Sequence, residues 1–192
     1  MTENGNLSSK ERILAAGTEL FLRNGYHGTG VQELSDAVGM GRGALYYHIG
    51  NKEQLLFEIS MLLLQRATDA AAPAATSTES PDVKLGELAR ALLVHQSRYG
   101  EAWTVVLSEA RFLSDEHRLE IITARDSYEA IWMQVLKDGA AAGLWREVDG
   151  VDIRGILGML NWSNRWMQPG GALTPEEIAD RYVDLIVQGL GK

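Results

Sequence analysis

"GMGRGALYYHIGNK", residues 39–52, sets Gly39, Gly41 and Gly43 ahead of two adjacent tyrosines, a histidine and a lysine. Three readings compete for it: a glycine loop that cradles a phosphate, the plain core of a helix-turn-helix, or an edge that reads DNA. Gly39, Gly41 and Ala44 satisfy a loose G-x-G-x-x-A dinucleotide fingerprint, but that motif has meaning only between a buried strand and a helix. Here it follows "VQELSDAV", whose Val31, Leu34 and Val38 repeat at helical spacing. The nucleotide reading is set aside. Leu34, Val38, Leu45 and Ile49 suit the core of a three-helix module, while Arg42, Tyr46, Tyr47, His48 and Lys52 lie off that stripe. A helix docked along one edge and free along the other is what entry into a major groove requires. Gly41 and Gly43 remove bulk at the helix start, tyrosine hydroxyls and Lys52 suit phosphate oxygens, and Arg42 can reach a guanine edge.

The flanking sequence is helical as well. "SSKERILAAGTELFLRNG" opens with a Ser8/Glu11 capping box, repeats Ile13, Leu14, Gly17, Leu20 and Phe21 on one face, and closes at Gly25. In "TGVQELSDAVG" the same device places Thr29 as cap and Gln32 as the closing residue. Asn51 can cap "KEQLLFEISMLLLQRATDA", and the prolines and small polar residues of "AAAPAATSTESPDV" then interrupt the pattern. Beyond lie "KLGELARALLVHQSRYG", "EAWTVVLSEARFL", a long element from Ser114 to about Gly143, and "VDIRGILGMLNWSNRWM". The last helix starts at Thr174, with Pro175 in its first turn and Glu177 closing a box. The expectation is an all-α chain of about nine helices: a helix-turn-helix module over 1–52 and a larger helical domain over 53–192.

Composition narrows the function classes. The 192 residues carry a net charge of -8 and include no cysteine, which excludes disulfide and thiolate chemistry. The acidity is uneven: residues 1–55 hold five basic and six acidic groups, the remainder thirteen and twenty. A protein that coats nucleic acid over its whole surface is excluded, whereas a local DNA-binding edge is not. "ISMLLL" is far shorter than the ~20 apolar residues of a membrane span. The N-terminus lacks an apolar signal core, so a cytoplasmic location is expected. His27, His48, His95 and His117 show no metal spacing, and no G-x-S-x-G elbow is present. Neither an enzyme, nor a metal, nor another cofactor is expected.

These residues carry a resemblance. "F-x-x-x-G-Y", "T-x-V-x-x-L-S-x-x-x-G" and "G-x-L-Y-Y-H-I-x-N-K-E-x-L", spread over residues 9 to 57, resemble the N-terminal module of the TetR family of transcriptional repressors. The resemblance implies a repressor that binds a double-stranded operator with two half-sites and answers to a small molecule. It assigns Thr29 to the cap that meets a phosphate, Arg42, Gly43 and Ala44 to base reading, and Tyr46, Tyr47, His48 and Lys52 to groove and phosphate contacts. Gly41 departs from the small polar residue often found at that position. "R-W-x-x-P-G-G-x-L-T", Arg165 to Thr174, is similar to a subgroup that controls lipid and sterol-ring catabolism in response to acyl-CoA thioesters. A neutral aromatic or drug-like effector is the alternative.

The effector domain offers its own candidates. Trp103, Tyr128, Trp132, Trp162 and Trp166 can wall an apolar cavity, and core packing accounts for each as well. Arg111, Arg125 and Arg165 lie on partly apolar helices, where a buried arginine needs a nearby carboxylate or an acidic ligand. Glycine and alanine runs such as "DGAAAGL" are expected to leave room between helices. Ile156, Met159, Trp162 and Trp166, with Ile178, Tyr182, Leu185 and Ile186, give the last two helices second apolar faces. One face suffices to dock on the monomer, so a homodimer is expected.

Overall fold

The computed structural model describes residues 8–168 and 170–191, which form eight α-helices, two short 3-10 turns and no strand. In order they are α1 (Ser9–Gly28), α2 (Val31–Val38), α3 (Arg42–Ile49), α4 (Lys52–Thr76), α5 (Pro81–Glu109), α6 (Asp115–Ala141), α7 (Gly150–Trp162) and α8 (Pro175–Gly189). The count falls below nine because "KLGELARALLVHQSRYG" and "EAWTVVLSEARFL" join as one helix, α5, across the irregular Tyr99 (φ -123, ψ 27). The expected caps at Ser8/Glu11 and Thr174/Glu177 form as complete boxes, and the Asn51 side chain accepts from Gln54 N–H at 2.7 Å. α7 starts on a box that sequence reading overlooked, Asp149 with Asp152.

Two compact units emerge, and neither divides at residue 52. The first comprises the chain up to Leu63 together with Glu101–Ile122. Its core joins Ile13, Leu20 and Phe21 of α1, Leu34 and Val38 of α2, Leu45 and Ile49 of α3, and Leu55, Leu56 and Ile59 of α4. Val105 and Leu113, far away in sequence, complete it. Polar contacts explain why this distant segment belongs here. Glu53 at the start of α4 accepts from Ser114 N–H at 2.9 Å and lies 2.8 Å from His117 Nδ1. Burial opposes ionisation of Glu53, but the Ser114 N–H and the His117 ring outweigh it and hold the carboxyl below the usual range. The His117 ring stacks on Phe57 at 3.9 Å, and Tyr26 stacks on Phe112 at 5.0 Å.

The second unit comprises Leu64–Gly100 and Thr123–Lys192. Leu85, Leu88, Leu92 and Leu93 of α5, Trp132 and Leu136 of α6, Leu160 of α7 and Ala179 of α8 are buried in it. His95 is buried beside the Tyr99 ring, over which the Arg66 guanidinium lies at 4.8 Å. Burial, and then the Arg66 charge, push the His95 imidazole down from 6.5 to about 4. Between those values the unfolded chain takes up a proton that the folded chain refuses. Stability is therefore complete above about 6.5 and falls as the pH drops towards 4. The urea midpoint should follow that course, and His95→Gln should flatten it. A parallel fall in wild type and variant would remove His95 as the cause.

Candidate nucleic-acid interface and effector-domain residues

The turn between α2 and α3 is braced before α3 begins. Gly39 ends α2 in the left-handed region (φ 66, ψ 36), a conformation glycine adopts without steric cost. The Ser35 hydroxyl donates to Met40 O at 2.7 Å, Met40 N–H returns to Ser35 O at 3.0 Å, and the Arg12 guanidinium donates to Val38 O at 2.7 Å. α3 then sorts its side chains by edge. Leu45 and Ile49 are 0% and 1% exposed, whereas Tyr46 is 46% and Tyr47 87% exposed. Arg42, Gly43 and Ala44 share the open side, and half-buried His48 sets its ring edge against Tyr47. A Cβ placed on Gly30, Gly41 or Gly43 would meet no atom within 4 Å. The protein's own packing does not require glycine at these three positions.

Three residues behave differently from expectation. Thr29 does not cap α2: the cap is Gly30, without a side-chain bond, and Thr29 is the buried residue that ends α1. Its hydroxyl faces inward, 3.1 Å from Leu20 O and 2.9 Å from Gly25 O. Gln32 closes no capping box and instead accepts from Arg42 Nε at 2.6 Å. Lys52 directs its ammonium at the carbonyls of Tyr26 (2.7 Å) and Thr29 (2.9 Å), above the Tyr26 ring. Burial draws its pKa down, and burial also pushes Tyr26 up. Lys52 thus ties the α1–α2 connection to α4. Lys52→Met should lower stability by about 1–2 kcal/mol, since two carbonyls lose their donor. A lost phosphate contact would show instead as a salt-dependence slope shallower by about one unit, with stability intact.

In the second unit Tyr128 and Trp132 are buried with rings edge to face at 6.3 Å, and burial pushes the Tyr128 phenol far up. Trp103 is buried in the first unit, and Arg111 belongs there too, exposed over the Phe112 ring. The expectation of buried arginines is corrected. Arg125 is exposed and paired with Asp126 and Glu129, and Arg165 is exposed, 5.6 Å from the centre of the Trp162 ring. Arg66, which the sequence does not single out, is the half-buried one. It stands on Tyr99 and, among the described residues, pairs with no carboxylate. Nearby in sequence, buried Gln96 spends its amide N–H on Asn161 at 2.9 Å and leaves Oε1 unsatisfied. The room expected at "DGAAAGL" is taken by the Trp145 indole, which packs on Gly139.

The second apolar faces divide likewise. Ile156, Ile178 and Ile186 are buried in their own unit's core and are no longer interface candidates. Met159 and Tyr182 are half-buried, while Trp162 is 64%, Leu185 58% and Trp166 46% exposed. Val151, 73% exposed, extends the α7 edge through Gly155 and Gly158 to Trp162. Pro169, inside the Arg165–Thr174 motif, lies outside the described residues.

Among the described residues no helix is long and apolar enough to cross a membrane, and no His/Asp/Glu cluster could hold a metal. Comparison with known proteins matches residues 13–59 to the bacterial regulatory proteins of the tetR family and 78–190 to the tetracyclin repressor-like C-terminal domain. The HTH-type transcriptional repressor KstR2 of Mycolicibacterium smegmatis is 26% identical over 95% of this chain and 91% of its own. The TetR family regulator PfmR of Thermus thermophilus superposes with a TM-score of 0.86 at 37% identity, covering 94% of this chain and all of PfmR. AibR, solved with isovaleryl coenzyme A and operator DNA, gives 0.82 at 30% identity over 93% and 97% of the two chains. With both halves matched and the turn, the buried edge and the open edge of α3 in place, the chain belongs to the TetR family of transcriptional regulators.

Proposed function

We propose that the chain is a dimeric repressor that grips two operator half-sites through α3 and lets go when an acyl-CoA binds its second unit. The observation that carries the DNA half is the sorting of α3 into a buried edge, Leu45/Ile49, and an open edge, Arg42/Gly43/Ala44/Tyr46/Tyr47. Two adjacent tyrosines at 46% and 87% exposure cost apolar burial unless something covers them. A duplex does, because hydroxyls meet phosphates while Arg42 meets a base edge. Dimerisation by α7 and α8 follows from the edge Val151–Gly155–Gly158–Trp162 with Leu185, which the monomer leaves open. A two-fold pairing of that edge presents two reading heads to a two-part site.

The acyl-CoA assignment rests on AibR, whose structure holds isovaleryl coenzyme A, and on residues of the second unit that suit such a ligand. Arg66 offers a guanidinium without a carboxylate for a phosphate, with Arg165 as a second cation, and Gln96 Oε1 accepts from an amide N–H of the pantetheine arm. Selection of duplexes from a random pool by the full chain, with sedimentation of the selected complex, tests the reading. A two-part sequence bound by two copies is expected. Enrichment of no sequence, or a complex with one copy, overturns it.

A further inference from the structure

Gln32 has no place in the capping box that its spacing suggests, and its two bonds say what it does instead. Its Oε1 accepts from Arg42 Nε at 2.6 Å, and its Nε2 donates to Asp36 Oδ1 at 2.7 Å. The amide is thereby fixed in one orientation, since a flip would set its NH2 against the guanidinium and its oxygen against the carboxylate. Arg42 is the first residue of α3 and Gln32 the second of α2, so the bond runs from one helix of the turn to the other. Among the described residues Arg42 makes no other bond. Its Nε is spent, and both terminal nitrogens remain as an exposed fork without a bonding partner among the described residues. That fork matches the O6 and N7 acceptors of guanine in the major groove.

We infer that Gln32 is a positioning residue for base recognition: it holds the Arg42 guanidinium end-on so that only the terminal fork meets the DNA. The inference rests on the reading of α3 as the groove-entering helix. It goes further by assigning specificity to a residue that touches no base. The neutral amide is a necessary part of the device. It separates the guanidinium from Asp36, whose carboxylate would otherwise pair with the fork and compete with guanine. Holding an arginine before binding removes part of the ordering cost that each operator contact must overcome.

The test uses the full chain and three variants, Gln32→Ala, Gln32→Glu and Arg42→Ala, with duplex selection from a random pool for each. Affinity for a duplex lacking the selected sequence is measured alongside at several salt concentrations. Arg42→Ala should erase preference at one base pair per half-site. Gln32→Ala should weaken preference at that same pair about fivefold, the scale of one immobilised side chain. It should leave the non-specific affinity and its salt slope unchanged. Gln32→Glu should do more damage than Gln32→Ala, because its carboxylate captures the fork. The double variant Gln32→Ala/Arg42→Ala should lose no more than Arg42→Ala alone. If Arg42→Ala relaxes a base pair and Gln32→Ala does not, the inference fails while the DNA-reading assignment of α3 stands. If Gln32→Ala relaxes a different pair, Gln32 reads its own base and the inference fails again. If wild type selects a sequence but Arg42→Ala changes none of it, both Arg42 as reader and Gln32 as its support fall. Selection of nothing by wild type sinks the function itself.

Discussion

Trp145→Ala should lower the stability of the chain by about 3–5 kcal/mol, the range for truncating a fully buried aromatic side chain. The indole is 1% exposed, its N–H donates to Leu136 O at 2.7 Å, and its six-membered ring packs on Gly139 of α6. Its neighbour Arg146 donates its backbone N–H to Leu190 O at 3.0 Å, fastening the segment after α6 to the residue that ends α8. The same contact makes Gly139→Ala unfavourable, because a Cβ there would fall inside the indole. Overpacking of that kind costs about 1–3 kcal/mol or more, which outweighs the ~1 kcal/mol that alanine gains over glycine in a helix. In the Trp145→Ala background the sign should reverse, with Gly139→Ala becoming stabilising by up to ~1 kcal/mol. Urea midpoints of the four proteins measure this cycle. Equal effects of Gly139→Ala in the two backgrounds would show that the indole is not what glycine accommodates.

That pair marks where the sequence stops being readable. The helices and most of their starts are local matters of period and capping, so Ser8/Glu11, Asn51 and Thr174/Glu177 could be read directly and stand as expected. The sorting of α3 is also local, because Leu45 and Ile49 share one side of two helical turns. Gly139 and Trp145 are six residues apart across the end of α6, and nothing in "DGAAAGL" says that the room is filled by the tryptophan that follows. Thr29 and Lys52 make contacts that spacing alone does not show. Residue type and spacing fit a cap and a phosphate ligand, but burial of the α1–α2 connection turns both polar groups inward to backbone carbonyls. Arg125 and Arg66 show the same limit for charge. The first has carboxylates one and four residues away, while the second meets a ring 33 positions on, Tyr99 of the next helix. Even the helix count turned on a single residue, Tyr99, whose irregular backbone bends α5 without ending it.

Micromolar isovaleryl coenzyme A should lower the affinity of the chain for its selected operator about a hundredfold, a coupling of ~2.7 kcal/mol and within the usual range for linked sites. An effector shifts an equilibrium only by its preference for one state over the other, so this figure is also the differential affinity it must have for the released form. α4 is the element that can carry the coupling, since Lys52 and Glu53 at its start belong to the first unit and Arg66, past its middle, to the second. The thioester alone should act. Free coenzyme A lacks the acyl group, and the free acid lacks the phosphates for which Arg66 and Arg165 have charge to offer. Arg66→Ala and Arg165→Ala should each blunt the response while leaving operator affinity unchanged without ligand, because neither lies on the open edge of α3. Fluorescence anisotropy of a labelled operator reads all of these arms in one format. If acyl-CoAs of several chain lengths leave the complex intact and a neutral aromatic compound dissolves it, the thioester assignment falls. The buried pair Tyr128 and Trp132 then becomes the place to look for the effector's ring.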